Sequence, residues 1–272
     1  MQSTVKILSR ALFAACLMSG VAVLPSVLAA DAPTAAPAKP KAAKAAKPHE
    51  AADQPNPKHS KTNPREPDPS FVKRHEGFLQ DLKAKHGKVG ILFVGDSITD
   101  GWRGGKGKEI FDKNYGGLDP LNIGIGGDRT QHVLWRLDRG EVEGISPKVA
   151  VLMIGTNNLG GNTNEEIEAG VTKIVQELNT KLPKTKVLLL GIFPRGAKAS
   201  DPNRDRIKQI NEQLAKLDDG GKSVKYLDIG PKFLEADGTL PPTIMPDALH
   251  PNAKGYSIWA EAIAPTLAEL LK

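Results

Sequence analysis

The stretch Val89-Gly90-Ile91-Leu92-Phe93-Val94-Gly95-Asp96-Ser97 decides the fold of this 272-residue chain. Its apolar run is short and rich in β-branched and aromatic residues, so it predicts a buried strand that ends at Gly95. A second run of this kind, residues 149–154, also stops at a glycine. Strands that are apolar on both faces are typical of a parallel sheet covered by helices on both sides.

Outward from this stretch, the chain alternates strands and helices. We predict further strands at residues 121–123, 186–193 and 224–229, and amphipathic helices at residues 71–87, 133–140, 167–178, 207–217 and 258–271. This alternation predicts an α/β fold: a three-layer α/β/α sandwich with a central, mainly parallel five-stranded sheet. Functional sites in such sheets lie at the carboxyl ends of the strands.

The N-terminal 70 residues have a different composition. Lys6 and Arg10 precede an uncharged run that closes on small residues, which is the layout of a signal peptide over residues 1–30. An uncleaved membrane anchor is the alternative that this run leaves open. Residues 31–69 are rich in Ala, Pro and Lys and contain no large apolar residue, so we predict a dispensable disordered linker. A single folded domain would then occupy residues 70–272 of a secreted or periplasmic protein.

The net charge of +6 lies mostly in the N-terminal region, where residues 1–70 hold nine Lys/Arg and five Asp/Glu. The remaining 28 basic and 26 acidic residues leave the domain near neutral, which argues against a nucleic-acid partner. The basic linker leaves open a weak contact with an anionic envelope. One cysteine, Cys16, excludes a disulfide scaffold, and the histidine spacing does not fit a metal site, so we expect no metal.

Polar residues that could perform chemistry follow the predicted strands. Ser97 directly follows the first strand, where a serine is either a helix N-cap or a nucleophile. Asp247 and His250 are three residues apart in a loop. An aspartate at this spacing can orient an imidazole that accepts the serine proton, and the alternative is a turn aspartate beside a surface histidine.

A glycine-rich segment, Gly124-Ile125-Gly126-Gly127-Asp128, lies between these positions. Backbone N–H groups there, together with the Asn157 amide, could stabilise the negative charge that develops during acyl transfer. The alternative is a tight turn before a helix. A nucleotide site is excluded, because the third glycine of the dinucleotide fingerprint is missing and no GxxxxGK[ST] sequence occurs.

These segments occur in a characteristic order: Gly95-Asp96-Ser97-Ile98, the Gly127 turn, Gly155-Thr156-Asn157-Asn158 and Asp247-Ala248-Leu249-His250. In this order the chain resembles the GDSL, or SGNH, hydrolase family over residues 71–272, with Ile98 in place of the leucine of the family name. Residues 122–137 look similar to the catalytic subunits of platelet-activating-factor acetylhydrolases. The resemblance implies the flavodoxin-like SGNH fold and a carboxylic ester hydrolase.

At the matching positions the resemblance implies Ser97 as nucleophile, His250 as general base and Asp247 as the group that orients the imidazole. It implies an oxyanion hole made by the N–H groups of Ser97 and Gly127 and the Asn157 side chain, and no cofactor. We therefore expect an exported esterase for short-acyl, mainly acetyl, esters of a small molecule or glycan. A lipase or thioesterase for longer chains, a non-catalytic envelope-binding module and a homodimer stay open as alternatives.

Overall fold

The computed structural model describes residues 49–63 and 65–272. The predicted signal peptide and residues 31–48 of the predicted linker lie outside the described residues. The strands are β1 Ile91–Gly95, β2 Pro120–Asn122, β3 Val149–Met153, β4 Lys186–Leu190 and β5 Val224–Leu227. They form one sheet in the order β2-β1-β3-β4-β5, and every pairing is parallel, so the predicted five-stranded α/β sheet is confirmed.

Helices connect these strands. Their bounds are α1 Pro69–Ala84, α2 Ser97–Asp100, α3 Gly105–Tyr115, α4 Thr130–Leu137, α5 Asn164–Lys181, α6 Pro202–Leu214 and α7 Ala253–Leu270. The sequence did not predict α2 or α3. In α3 the sequence GKGKEIFDKNY is dominated by glycine and charge, so its two buried aromatic residues, Phe111 and Tyr115, give too little periodicity to detect.

The sheet carries one apolar core on each face. Because successive side chains of a strand point to opposite faces, Leu92 and Val94 enter one core while Ile91 and Phe93 enter the other. Side chains of α1, α4, α5 and α6 belong to the first core, and those of α3 and α7 belong to the second. This arrangement is the predicted three-layer sandwich.

The strand order reverses beside β1. The chain leaves β1 for β2 on one side and then crosses to β3 on the other side. Such a reversal opens a crevice at the carboxyl ends of the two central strands, where α/β proteins bind their ligands. Ser97 lies two residues beyond the end of β1 and Asn157 lies just beyond β3, so the fold places both residues at this crevice.

The segment before α1 differs from the sequence prediction. Residues 49–63 and 65–68, called here the N-terminal strap, pack on the domain. Ala52 is fully buried and its carbonyl accepts a hydrogen bond from the Thr130 hydroxyl at 2.7 Å. The Asn56 N–H donates to the Gln131 carbonyl at 3.1 Å. The prediction of a disordered linker is therefore wrong for the described residues 49–63 and 65–69.

The end of the strap also builds α1. The Asp68 carboxylate accepts hydrogen bonds from the N–H groups of Ser70 and Phe71, and Pro69 occupies the first helical turn. The domain boundary therefore lies before residue 70. Composition misled the prediction because the strap is held by hydrogen bonds of its backbone and of polar side chains such as Lys58 and Glu50, which need no large apolar side chain.

Within residues 49–63 and 65–272, no helix combines the length and the apolar character that a bilayer span requires.

Candidate active site

Ser97 lies at a tight junction between β1 and α2. A Cβ atom on Gly95 would lie 2.2 Å from the Thr99 hydroxyl and 2.4 Å from the Met153 carbonyl, so only glycine fits at the end of the strand. The Asp96 carboxylate accepts the Ile98 N–H at 3.0 Å and thereby caps α2. Asp96, rather than Ser97, fills the N-cap role that we had considered for the serine.

The structure brings the three predicted residues Ser97, His250 and Asp247 together. Ser97 Oγ lies 2.9 Å from His250 Nε2, and His250 Nδ1 lies 2.6 Å from Asp247 Oδ2. Because an ionised carboxylate can only accept, Nδ1 must carry the hydrogen, which leaves the Nε2 lone pair facing Ser97 in the neutral ring.

A compact turn before α7 holds Asp247 against His250. Ala248 adopts a left-handed conformation with φ of 56°, and Asp247 Oδ1 accepts the N–H groups of Leu249 and His250 at 3.1 and 2.7 Å. Burial by itself raises the pKa of Asp247, but the hydrogen bonds from the His250 ring and backbone outweigh burial and lower the pKa below its usual value. Asp247 is therefore a carboxylate at neutral pH.

The other predicted site residues are Gly127 and Asn157, and Asn157 is hydrogen-bonded to Asp128, the residue that follows Gly127. Asn157 Nδ2 donates one of its two hydrogens to the Asp128 carbonyl at 2.9 Å, and its other hydrogen has no acceptor within residues 49–63 and 65–272. A Cβ atom on the neighbouring Gly126 would lie 4.0 Å from Ser97 Cβ, so the glycine turn borders the serine.

Several residues that support this turn were missed by the sequence analysis. Asn158 Oδ1 accepts the Thr130 N–H at 3.0 Å, so of the two adjacent asparagines one faces Asp128 and the other anchors α4. Lys58, from the strap, donates to the Gly126 carbonyl at 2.8 Å. Lys58 gave no signal in the sequence because it lies in a segment whose composition is typical of a linker.

A buried ionic network lies behind the turn. Arg136 Nε and Nη2 donate to Asp128 Oδ2 at 3.0 and 2.8 Å, and Arg136 Nη1 donates to Glu141. Glu141 also contacts His75 Nδ1 at 2.7 Å. Arg136, Asp128 and Glu141 are fully buried. Pairing compensates these charges, and it fixes Asp128 at the end of the glycine turn.

A groove of about 280 Å³ opens at Ser97 and His250. Three glycines between α2 and the first turns of α3 line one wall, and residues at the start of α7 line the other, namely Gly101, Gly104 and Gly107, and Pro251, Asn252, Ala253 and Tyr256. A larger, mostly apolar cavity of about 500 Å³ lies between α6 and the ends of β4 and β5, and none of the predicted site residues lines it. We place the chemistry at the smaller groove because only there do the serine and the imidazole meet.

Metal chemistry has no evident ligand set in the described part of the chain. No group of three or more His, Cys, Asp or Glu side chains there is arranged to hold an ion.

Comparison with known sequences defines the class. The GDSL-like lipase/acylhydrolase family matches residues 93–258. Platelet-activating factor acetylhydrolase IB subunit alpha1 of Homo sapiens is 38% identical over 204 residues, which cover 75% of this chain and 85% of the relative. The alpha2 subunit of Rattus norvegicus is 38% identical over 205 residues, with 75% and 86% covered. The chain belongs to the GDSL-like lipase/acylhydrolase family and is a carboxylic ester hydrolase.

Solved structures share the fold. A GDSL-like lipase from Bacteroides thetaiotaomicron superimposes with a TM-score of 0.56 at 21% identity, covering 72% of this chain and 97% of the other. A variant of an acetyl-xylooligosaccharide esterase from Geobacillus gives a TM-score of 0.52 at 23% identity, covering 67% and 96%. At these identities the likeness concerns the fold.

Proposed function

We propose that this protein is an exported serine esterase that removes short acyl groups, mainly acetyl, through Ser97, His250 and Asp247. The observation that carries the proposal is the continuous hydrogen-bonded chain from Ser97 Oγ through the His250 ring to Asp247. A serine hydroxyl is a weak nucleophile until a base removes its proton, and the base works best when a third group fixes its tautomer.

The reaction follows from these roles. Ser97 Oγ attacks the acyl carbon while its proton passes to His250 Nε2, and the carbonyl oxygen becomes an oxyanion. The N–H groups of Ser97 and Gly127 and the free Asn157 hydrogen stabilise that charge. The protonated imidazole then donates its proton to the departing alcohol, which leaves an acyl-enzyme. Water deprotonated by His250 hydrolyses the acyl-enzyme and regenerates Ser97.

The substrate class is supported by the groove and by the relatives. The groove at Ser97 is small, and the apolar cavity that could hold a long chain lies elsewhere. The sequence relatives are named acetylhydrolases, and structural neighbours include esterases named for acetylated xylan or xylooligosaccharide. The His250 and Asp247 side chains are 42% and 56% exposed, so a bulky alcohol such as a glycan could approach. Export is supported by the charge and apolar pattern of residues 1–30.

The nucleophile is tested with a fluorophosphonate probe, which labels an activated serine. We expect labelling of the native chain at Ser97, and loss of labelling and of p-nitrophenyl acetate hydrolysis in Ser97→Ala and His250→Ala. The matched control is His86→Asn, because His86 is exposed and its left-handed backbone, with φ of 48°, suits asparagine. Normal hydrolysis by His250→Ala would refute the proposed base.

Acyl length and alcohol are tested separately. We expect the acetyl ester of p-nitrophenol to be hydrolysed with a higher kcat/KM than the decanoyl ester, and acetate to be released from O-acetylated glycans. A preference for the decanoyl ester would instead favour the lipase or thioesterase alternative. A native chain that folds but hydrolyses no ester and takes up no probe would favour the non-catalytic binding module.

A further inference from the structure

The strap residue Lys58 reaches the glycine turn beside Ser97. Its ammonium donates a hydrogen bond to the Gly126 carbonyl at 2.8 Å, and a Cβ atom on Gly127 would lie 3.1 Å from Lys58 Nζ. Within the described part of the chain, no carboxylate lies at ion-pair distance from this ammonium, and the Gly126 carbonyl is its one hydrogen-bond acceptor. The Lys58 side chain, which comes from the strap, is thus held on the peptide group between Gly126 and Gly127.

That peptide group is the central peptide of a tight turn formed by residues 125–128. The Asp128 N–H donates to the Ile125 carbonyl at 3.1 Å, and Gly127 has a φ of 76° while Gly126 is not among the residues with positive φ. This is the type II pattern. Type I and type II turns differ in the orientation of their central peptide, which here is the Gly126–Gly127 peptide, by roughly half a turn.

The lysine contact selects one orientation. In a trans peptide the carbonyl oxygen and the amide hydrogen point to opposite sides. Because Lys58 holds the Gly126 carbonyl on its own side, the Gly127 N–H must point away from the lysine. Among the described residues that N–H has no acceptor, as expected of a donor kept for a ligand. The positive charge also polarises the peptide and strengthens its N–H as a donor.

The strap holds Lys58 in place through a short hairpin-like segment. The Asp68 N–H donates to the Lys58 carbonyl at 2.6 Å, and His59 and Pro67 form an antiparallel bridge. Asp68 in turn caps α1, so the backbone of Lys58 is joined to a helix that packs into the core. On a free linker the same contact would also have to offset the loss of backbone conformational entropy.

We propose that Lys58 is a positioning residue for catalysis: it holds the Gly126–Gly127 peptide in the orientation that presents the Gly127 N–H to the oxyanion. This inference rests on the proposed serine-esterase function. It makes the strap a part of the active site, although its composition is that of a linker.

The test compares Lys58→Met, Lys58→Gln and Lys58→Arg with the control Lys61→Met, which removes an exposed lysine from the same strap. For p-nitrophenyl acetate we expect Lys58→Met to lower kcat roughly 10- to 100-fold, less than the 10²–10³ for removing a whole donor, with KM little changed. Lys58→Gln should fall between Lys58→Met and the native chain, because its amide can donate without a charge. Lys58→Arg and Lys61→Met should stay close to the native rate.

Two further measurements separate positioning from a folding effect. A trifluoromethyl ketone adds to the serine and forms an oxyanion, so its inhibition constant should weaken by the same factor as kcat/KM in Lys58→Met. In Lys58→Ala, added methylammonium should restore part of the rate, because the small cation can occupy the vacated place of the ammonium. Thermal unfolding followed by circular dichroism shows which variants are folded.

Each outcome is decisive for one of the two proposals. If native Ser97 is labelled by the fluorophosphonate but folded Lys58→Met keeps the native kcat, the lysine proposal is overturned and the esterase proposal stands. If Lys58→Met loses rate while ketone inhibition is unchanged and neither arginine nor methylammonium restores activity, Lys58 acts only through folding, and the proposal is also overturned. If native Ser97 is not labelled and Ser97→Ala keeps its activity, the underlying serine-esterase function fails.

Discussion

Asp96, which immediately precedes Ser97, is completely buried. One carboxylate oxygen accepts the Ile98 N–H, and the other, Oδ2, has no partner among the described residues. Burial raises the pKa of Asp96 to about 7, and the negative charge of Asp128 contributes in the same direction. The residue is therefore tolerated mainly as a neutral acid, although it must cap α2 beside the nucleophile.

This raised pKa predicts a pH-dependent stability. Between pH 4 and pH 7 the folded state holds a proton that the unfolded state has released, so the free energy of unfolding falls as pH rises through this range. Asp96→Asn keeps the capping oxygen without the charge. We expect it to be no more stable than the native chain near pH 4 and more stable above pH 7, with an upper bound of roughly 4 kcal/mol.

Denaturant unfolding of both chains from pH 4 to pH 8 measures this difference. Asp81→Asn, at an exposed position on α1, is the control and should show no comparable trend. A stability difference between Asp96→Asn and the native chain that does not change with pH would contradict a raised pKa at Asp96.

Asn157 combines a structural contact with a proposed catalytic one. We expect Asn157→Ala to lower kcat by about 10²–10³, the usual loss for one oxyanion donor. Loss of the hydrogen bond to the Asp128 carbonyl should cost only about 1 kcal/mol of stability. Asn157→Asp is the isosteric comparison, because it keeps the shape of the side chain and removes both donors. Full turnover in either variant would exclude Asn157 from the oxyanion hole.

At the scale of elements, the strap is the part whose removal tests the corrected domain boundary. A chain that starts at Ser70 loses the bonds made by Ala52, Asn56 and Lys58. With about 1 kcal/mol for each bond and 2–4 °C for each kcal/mol, we expect its Tm to fall by roughly 10 °C. Its kcat should fall as well, because Lys58 is absent.

The matched control for this truncation starts at Lys47 and retains every described residue of the strap. It should keep the Tm and the esterase rate of the chain that starts at residue 31, because we expect only residues 31–46 of the predicted linker to be dispensable. If the chains that start at residues 47 and 70 had the same Tm, the strap would contribute no stability.

At the scale of the whole molecule, Arg136 joins parts of the chain that are distant in sequence. It contacts Asp128 at the glycine turn and Glu141 in the loop before β3, and Glu141 contacts His75 on α1. Arg136→Met leaves two carboxylates buried without their partner, so we expect a loss of about 3–5 kcal/mol and a fall in Tm of roughly 10 °C or more. Lysine at this position should not restore stability, because it cannot bridge both carboxylates in one plane.

Calorimetry of Arg136→Met beside Arg139→Met tests this role. Arg139 is exposed at the end of the same helix, where its guanidinium lies 4.0 Å from the centre of the Trp135 ring. We expect Arg139→Met to lower the free energy of unfolding by much less than Arg136→Met does. Similar losses of unfolding free energy in both variants would show that the buried network stabilises the fold no more than a surface arginine does.

Patterns in the sequence were enough to predict the layers and the parallel sheet, and to single out Ser97, Asp247 and His250 as site residues. A buried strand appears in the sequence as a short run of adjacent apolar residues, and the glycines that end β1 and β3 directly follow such runs. Both signals are local, so they can be read along the chain. All five predicted strands belong to the sheet, and Ser97 and His250 lie within hydrogen-bond distance. The prediction placed these residues at one edge because the carboxyl ends of parallel strands share an edge.

The surroundings of those residues could not be predicted from the sequence and became visible in the folded chain. Lys58 lies 68 residues before Gly126, and its contact with the Gly126 carbonyl leaves no periodic signal in either segment. The Arg136 network and α3 were missed for a related reason, since buried charge and a glycine-rich helix both contradict the apolar patterns that sequence analysis uses. A hydrogen bond between distant backbone and side-chain groups depends on where the chain returns in space, and composition contains no information about that return.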